Sequence, residues 1–309
     1  MVYDGFIFFN EIELLELRLK TMYDYVDKFI LVESKYTFTN EPKELFYETN
    51  KEKFKRYWDK IEHIVVEMFP VTCATAWERE FFQRNEIQRG IKDADADDIL
   101  IISDLDEIIS PYGVKRVTKI LKKFPDRVLN LELLNCWYYL NYVDQKVFFL
   151  AAPRACTIEN FNKIHSEWKC SITLTNDRRL TPQVLRAWEK FEIIQCAGWH
   201  FSYIGGMERI IKKIQSFSHQ EFNNEDILNE ERIKRAIESG RDLFDREISD
   251  FASISIGALM PNEIRKNRKK YEKWLCDFKP MSFKNQCRLV IKYLVETTWL
   301  RKIYHLIKR

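Results

Sequence analysis

The chain has 309 residues, 46% of them hydrophobic and 14% aromatic, which is enough apolar material for a large core and excludes a disordered polymer. Its net charge is only +3, charge interrupts every apolar run before the roughly 18–20 residues of a membrane span, and Met-Val-Tyr-Asp-Gly is not the start of a secretory leader. Seven cysteines without paired spacing exclude a disulfide framework and a Cys-x-x-Cys zinc site, so the expected compartment is reducing and cytoplasmic.

In chain order, residues 2–9 read as a buried strand and 11–22 as a helix whose leucines at 14, 15, 17 and 19 suit a sheet face. Residues 29–32 make a second apolar strand ending at Glu33-Ser34, and a polar, aromatic loop follows over 35–47. A helix is predicted over 51–60, a strand over 61–68, a long helix over 76–91 and a strand over 99–102. Ser110-Pro111 starts a helix that runs to Lys123, and 128–134 is a fifth strand. Strands alternating with helices imply parallel pairing and an α/β, doubly wound sheet.

Beyond Asn135 the pattern changes to short aromatic and β-branched runs, Trp137-Tyr138-Tyr139 and residues 147–150, as in an antiparallel or mixed subregion. Helices resume over 207–217 and 226–239, and composition shifts at Met260-Pro261. From Asn262 to Arg309 there are 14 Lys and Arg against 4 Asp and Glu, a local +10 that leaves −7 on the first 261 residues. The expected organisation is one α/β domain over 1–260 and a basic, helical extension over 261–309. Such an extension either packs its apolar face on the body with its lysines in water, or lies on anionic lipid.

Chemistry concentrates at Asp98–Glu107, Asp-Ile-Leu-Ile-Ile-Ser-Asp-Leu-Asp-Glu. A strand buried on both faces delivers carboxylates to the edge of the sheet where ligands bind in open α/β folds. Side chains two apart on extended chain share a side, so Asp104 and Asp106 converge while Leu105 returns to the core. Hard divalent ions such as Mg²⁺ or Mn²⁺ use one or two carboxylates together with substrate phosphates, which makes this a candidate metal-diphosphate site. The plainer alternative is an acidic turn favouring the next helix. A second signal is Ala197-Gly198-Trp199-His200-Phe201-Ser202, where a neutral imidazole could complete a metal's sphere or simply be a hydrogen-bonded core residue. Arg79, Arg84 and Arg154 offer planar forks suited to a diphosphate, and Glu33-Ser34 would border the same crevice.

In order along the chain, several motifs resemble glycosyltransferase family 17. They are Phe9-Asn10, Val-Asp-x-Phe-x-x-x-Glu-Ser-x-x-Thr from Val26 to Thr37, Glu41-Pro42-Lys43, Asp104-x-Asp106-Glu107 and Gly198-Trp199-His200-x-Ser202. Ser218-His219-Gln220-Glu221-Phe222 and Gly240-Arg241-Asp242-Leu243-Phe244 look like its microbial and viral branch, and the similarity covers residues 3–244. The resemblance implies a GT-A-like fold, a UDP-sugar donor, UDP-GlcNAc in the characterised branch, a divalent metal (Mn²⁺ or Mg²⁺) and inversion at the anomeric carbon. The residues expected to carry this are Asp104 and Asp106 for the metal, with His200 as a further metal or phosphate contact, and Glu33, Ser34, Arg84, Asp104, Glu107 and Trp199 for the donor, Glu107 either touching the sugar or holding the metal loop.

Inversion also requires a carboxylate to take the acceptor hydroxyl's proton, and Glu221, Glu159 and Asp242 are the candidates. The expected acceptor is a saccharide or glycolipid, with the basic extension touching an anionic membrane, and no nucleic acid is expected as a partner. Two other classes fit the residues: a metal-dependent phosphoesterase or nuclease, and a non-catalytic saccharide-binding module built on Trp137, Tyr138 and Trp199.

Overall fold

The computed structural model describes residues 1–146, 149–168, 191–245 and 249–298, with side chains omitted at 149–152, 164–168 and 191. The expected strand residues 147 and 148, and 299–309 of the basic extension, lie outside the described residues. The strands are β1 (Val2–Phe8), β2 (Lys28–Ser34), β3 (Ile61–Val66), β4 (Ile99–Ile102), β5 (Glu107–Ile109), β6 (Val128–Trp137), β7 (Tyr142–Asp144), β8 (Phe149–Thr157), β9 (Phe191–Ser202) and β10 (Phe251–Ser253). The helices are α1 (Ile12–Met22), α2 (Phe46–Asn50), α3 (Ala76–Asn85), α4 (Pro111–Lys123), α5 (Ile158–Trp168), α6 (Met207–Ser216), α7 (Glu230–Ser239), α8 (Asn262–Lys266), α9 (Arg268–Tyr271) and α10 (Phe283–Thr297).

These strands form one mixed sheet in the order β3-β2-β1-β4-β8-β6. The first four run parallel, and β8 runs antiparallel between β4 and β6. On the other edge of β6 lies the parallel β9, which carries the antiparallel β5, while β7 and β10 continue beside the far end of β6. The doubly wound α/β class expected from the alternation of elements is the class observed. The parallel strands read as continuous apolar runs because both faces are covered. Ile99, Leu100 and Ile101 of β4 are all buried, and so is most of β1 and β2.

Local chemistry explains where elements start and stop. Ser110 accepts a hydrogen bond from the Gly113 amide and Pro111 occupies the first turn, so α4 begins where expected. The helix expected over 76–91 is α only to Asn85 and then tightens into a 3₁₀ turn over Glu86–Ile91. That turn sits directly on the sheet: a Cβ at Gly5 would lie 2.7 Å from Ile87, and one at Gly90 2.7 Å from Ile30. The helix expected from 226 starts instead at Glu230, because the Asn229 side chain accepts from the Arg232 amide and caps it there. Gly198 allows β9 to press against β5, since a Cβ there would meet the Ile108 carbonyl at 2.1 Å.

The chain beyond Pro261 does not stand apart from the body. Ile264, Tyr271, Trp274, Met281 and Leu289 belong to the same buried cluster as β1, β4 and β6. Asn141 Oδ1 accepts from the Cys276 amide at 2.9 Å, and Ser253 bridges to Pro280. Composition shifts at Met260-Pro261, but the packing has no gap there. Among the described residues, no helix is long and apolar enough to cross a membrane.

Candidate active site

The carboxyl ends of β1 and β4 open into a cleft of about 470 Å³. Its floor holds Asp104 and Asp106 from the turn after β4 and Glu107 at the start of β5, with Arg84 and Glu80 from α3, His200 from β9 and Lys213 from α6. One wall is Phe9, Tyr36 and Phe38, and the other is Trp137, Tyr203, Phe222 and Phe244.

Arg18, at 0% exposure, shapes the turn that presents the carboxylates. Its guanidinium binds both oxygens of the equally buried Asp4, at 2.8 and 2.6 Å. It also donates to the carbonyls of Asp104, Leu105 and Glu107 at 2.8, 3.2 and 2.9 Å, and to Ser103 Oγ. Glu107 accepts the Asp104 amide on Oε2 at 2.8 Å and so closes the turn from the other side, while also lining the cleft. The consequence is a rigid loop whose two aspartates face the cleft.

Each aspartate meets a cation of the protein. Asp104 Oδ1 accepts from Arg84 Nη2 at 2.7 Å, and Arg84 Nη1 is held by Glu80 at 3.0 Å. Asp106 Oδ2 accepts from Lys213 Nζ at 2.8 Å, with Glu11 a further 3.8 Å from that ammonium. Burial pushes the Asp106 carboxyl up, but Lys213 and His200 outweigh it and hold it below the usual carboxylate range. Lys213 is correspondingly held above its ordinary value: burial opposes its charge, and Asp106 and Glu11 overcome that.

His200 has a defined ring orientation. Asp144 is buried and can only accept, so the Asn135 amide nitrogen faces its Oδ2 at 3.5 Å and the Asn135 carbonyl is left for His200. His200 Nδ1 therefore donates to Asn135 Oδ1 at 3.2 Å, which leaves Nε2 facing Asp106 Oδ1 at 3.8 Å. Among the described residues no group of three or more His, Cys, Asp or Glu side chains is disposed to hold a metal. The donors present are two carboxylates and one imidazole around a cleft, a set that needs phosphate oxygens to complete a hard ion's sphere.

The remaining sequence candidates fall elsewhere. Glu33 and Ser34 are fully buried behind the cleft: Glu33 accepts from the Tyr47 amide at 3.2 Å and faces His63 Nε2 at 3.2 Å, and Ser34 Oγ accepts from the Tyr36 amide. Trp199 is a core residue that donates its indole N–H to the Leu259 carbonyl at 2.6 Å. Glu159 is exposed at the start of α5, tied to Ala96 in the loop before β4, at the opposite end of that strand from Asp104. Asp242 is buried and accepts from the Phe244 amide. Glu221 is exposed and bound to His219, and of those two it is His219 that lines the cleft. Arg79 is spent on the carbonyls of Phe38 and Ala74, and Arg154 donates to Pro153. Sequence reasoning did not find Lys213, Asn135 or Arg18, because each acts through a partner far away in the chain, and it named His219 only within a motif.

Comparison with known proteins adds an independent line. The sequence profile of glycosyltransferase family 17 matches residues 1–255. The β-1,4-mannosyl-glycoprotein 4-β-N-acetylglucosaminyltransferase of Rattus norvegicus is 25% identical over 241 residues, and that of Homo sapiens is 24% identical over the same length. Both matches cover 69% of this chain but only 42% of the relative, so the chain spans less than half the length of those enzymes. Among solved structures, 4-diphosphocytidyl-2C-methyl-D-erythritol synthase aligns with a TM-score of 0.37 and 12% identity over 63% of this chain and 88% of that one. With the profile match spanning most of its length, the chain belongs to glycosyltransferase family 17.

Proposed function

We propose that this cleft binds a UDP-sugar, with UDP-N-acetylglucosamine as the donor, and moves the sugar with inversion to a saccharide hydroxyl. The observation that carries the proposal is the meeting of Asp104 and Asp106 with Arg84 and Lys213 on one floor. A pyrophosphate needs cations, and Arg84 offers it a planar fork while Lys213 offers a mobile ammonium. The choice of sugar follows the named activity of the rat and human relatives.

A divalent ion would be held by Asp104 and Asp106 together with the donor's phosphate oxygens, with Nε2 of His200 beside Asp106. Bound there, Mn²⁺ or Mg²⁺ would neutralise charge arising on the departing diphosphate. The turn cradled by Arg18 keeps both carboxylates in place without reorganisation during the reaction. Phe9, Tyr36 and Phe38 give the nucleoside a flat apolar wall, and Trp137, Tyr203 and Phe244 give sugar rings another while excluding water. A metal-free variant is favoured by one fact: each aspartate already has a protein cation at hydrogen-bonding distance. In that variant Lys213 and Arg84 alone face the pyrophosphate.

The acceptor we propose is a saccharide or glycolipid at an anionic membrane surface. On α10, Phe283, Ile291 and Leu294 are exposed by 84%, 60% and 38%, and Lys284 and Arg288 lie beside them, a pattern complementary to acidic lipid. Sedimentation with vesicles of mixed neutral and acidic phospholipid should pull the chain down, and Ile291→Asp should abolish it; equal sedimentation of the variant would remove this partner.

The test of the whole proposal is nucleotide release from a panel of UDP-sugars with Mn²⁺, with Mg²⁺ and with a chelator. UDP-GlcNAc should be turned over with metal, and Asp106→Asn should weaken metal-dependent donor binding about 100-fold or more while the melting transition stays cooperative. Turnover unaffected by chelator would establish the metal-free variant. Cleavage of phosphodiesters, or saccharide binding without any turnover of nucleotide sugars, would overturn the proposal.

A further inference from the structure

Lys213 lies one turn before the end of α6, and the chain leaving that helix, Phe217-Ser218-His219, also lines the cleft. His219 Nδ1 is 2.6 Å from Glu221 Oε1, and an ionised carboxylate only accepts, so Nδ1 is the donor and Nε2 is the nitrogen that accepts a proton when the ring is neutral. The Glu221 carboxyl feels some upward push from burial, but its bond from His219 holds it below its ordinary range, so it is the ionised partner this tautomer requires. The imidazole packs in a T-shaped contact with Trp77, whose ring centre is 4.4 Å away at 80°, on the same helix α3 that supplies Glu80 and Arg84 to the floor. Beside it Ser218 Oγ is buried, 2% exposed as a residue, and has no hydrogen-bond partner among the described residues, although Ser218 lines the cleft. A buried hydroxyl without a partner is costly in the free protein, and a ligand hydroxyl would relieve that cost.

Resting on the UDP-sugar transfer proposed above, we infer that His219 is the catalytic base of that transfer, that Glu221 is its positioning residue, and that Ser218 Oγ binds a hydroxyl of the incoming sugar. The acceptor oxygen forms its bond to the anomeric carbon while the bond from that carbon to the diphosphate oxygen breaks, and its electron pair leaves with UDP. The acceptor's proton passes to His219 Nε2, and the resulting imidazolium is neutralised by the Glu221 carboxylate. Glu221 is 56% exposed, so the proton then has a route to solvent. The carboxylate sought in the sequence as a base is thus one residue removed from the chemistry, as in any base held in its tautomer by an acid.

The experiment uses the full chain and UDP-GlcNAc with water as acceptor, since hydrolysis of the donor needs the same base and no identified acceptor. His219→Gln should lower kcat for UDP release about 100- to 10,000-fold, with the donor's Kd by calorimetry unchanged within about threefold. Glu221→Gln should cost roughly tenfold in kcat alone. Imidazole added to His219→Ala should restore rate in proportion to its concentration, a readout that a structural histidine would not give. A His219→Gln rate within threefold of the unaltered chain, or equal losses in donor binding and rate, or no rescue by imidazole, would each overturn the inference. If the unaltered chain turns over UDP-GlcNAc and His219→Gln does too, only this inference falls. If the unaltered chain turns over no UDP-sugar, the transferase proposal and this inference fall together.

Discussion

Asp4–Arg18 and Asp106–Lys213 are both carboxylate–cation pairs at the same turn, one beneath it and one above, and they differ in how completely they are satisfied. All five guanidinium N–H groups of Arg18 are directed at acceptors, and both partners are 0% exposed. Among the described residues Lys213 makes one hydrogen bond, to Asp106, with Glu11 at 3.8 Å; its side chain is 27% exposed, and it faces the cleft. A saturated buried pair fixes structure, whereas a pair with donors to spare can exchange a partner for a ligand. The comparison separates scaffold from site where charge and burial alone do not.

The largest effect tests the scaffold half. Arg18→Met should cost about 3–5 kcal/mol, because it strands Asp4 as an unpaired buried charge and releases three carbonyls. Urea melts would measure this, and a cost under about 1 kcal/mol would break the distinction. On the site half, Lys213→Met should leave the urea midpoint much closer to that of the unaltered chain and instead weaken UDP binding about 10- to 100-fold, the worth of a charge-assisted hydrogen bond. Equal damage to folding by both substitutions would put Lys213 in the scaffold.

A third, more modest effect sharpens the role of His200. Asn135→Leu removes the acceptor that sets its ring orientation, so affinity for Mn²⁺ in the presence of UDP should fall roughly 10-fold with little change in UDP affinity in chelator. The smallest effect concerns the exposed pair Arg209–Glu13, which ties α6 to α1 at 2.8 Å. Arg209→Ala should cost less than about 1 kcal/mol. Burial pushes the Glu13 carboxyl up, but its hydrogen bond from Arg209 wins and holds it below 4.5. Its contribution is therefore present above pH 4.5 and fades as pH falls through the lowered folded value, so the variant and the unaltered chain should converge in stability at acid pH.

Much of this was legible in the sequence where signals are local. A four-residue apolar run followed by Asp104-Leu105-Asp106 told both that β4 is buried and that its carboxylates leave the sheet together. Gly198-Trp199-His200 marked the strand that delivers His200, although Trp199 itself serves the core because its indole N–H finds Leu259. What stayed hidden was long-range pairing. Lys213 and Asp106 are 107 positions apart, and nothing in a helix written Met-Glu-Arg-Ile-Ile-Lys-Lys says which lysine points inward. Glu159 looked as eligible as any acid, but it follows the reversed strand β8, which brings its helix to the wrong end of the sheet. The basic extension read as an appendage by charge, yet its sparse apolar residues, Tyr271, Trp274, Met281 and Leu289, were enough to seat it on the main core.

Arg18 also has a temporal consequence. The carbonyls it binds are supplied 86 to 89 residues later in the chain. At a ribosomal pace of about 5–20 residues per second, the guanidinium waits roughly 4–18 s before its ligands exist. We predict that nascent chains arrested before Ser103 keep their first helix open to protease and that those extended past β5 do not; equal protection on stalled ribosomes would show that the amino-terminal half closes without the turn it later carries.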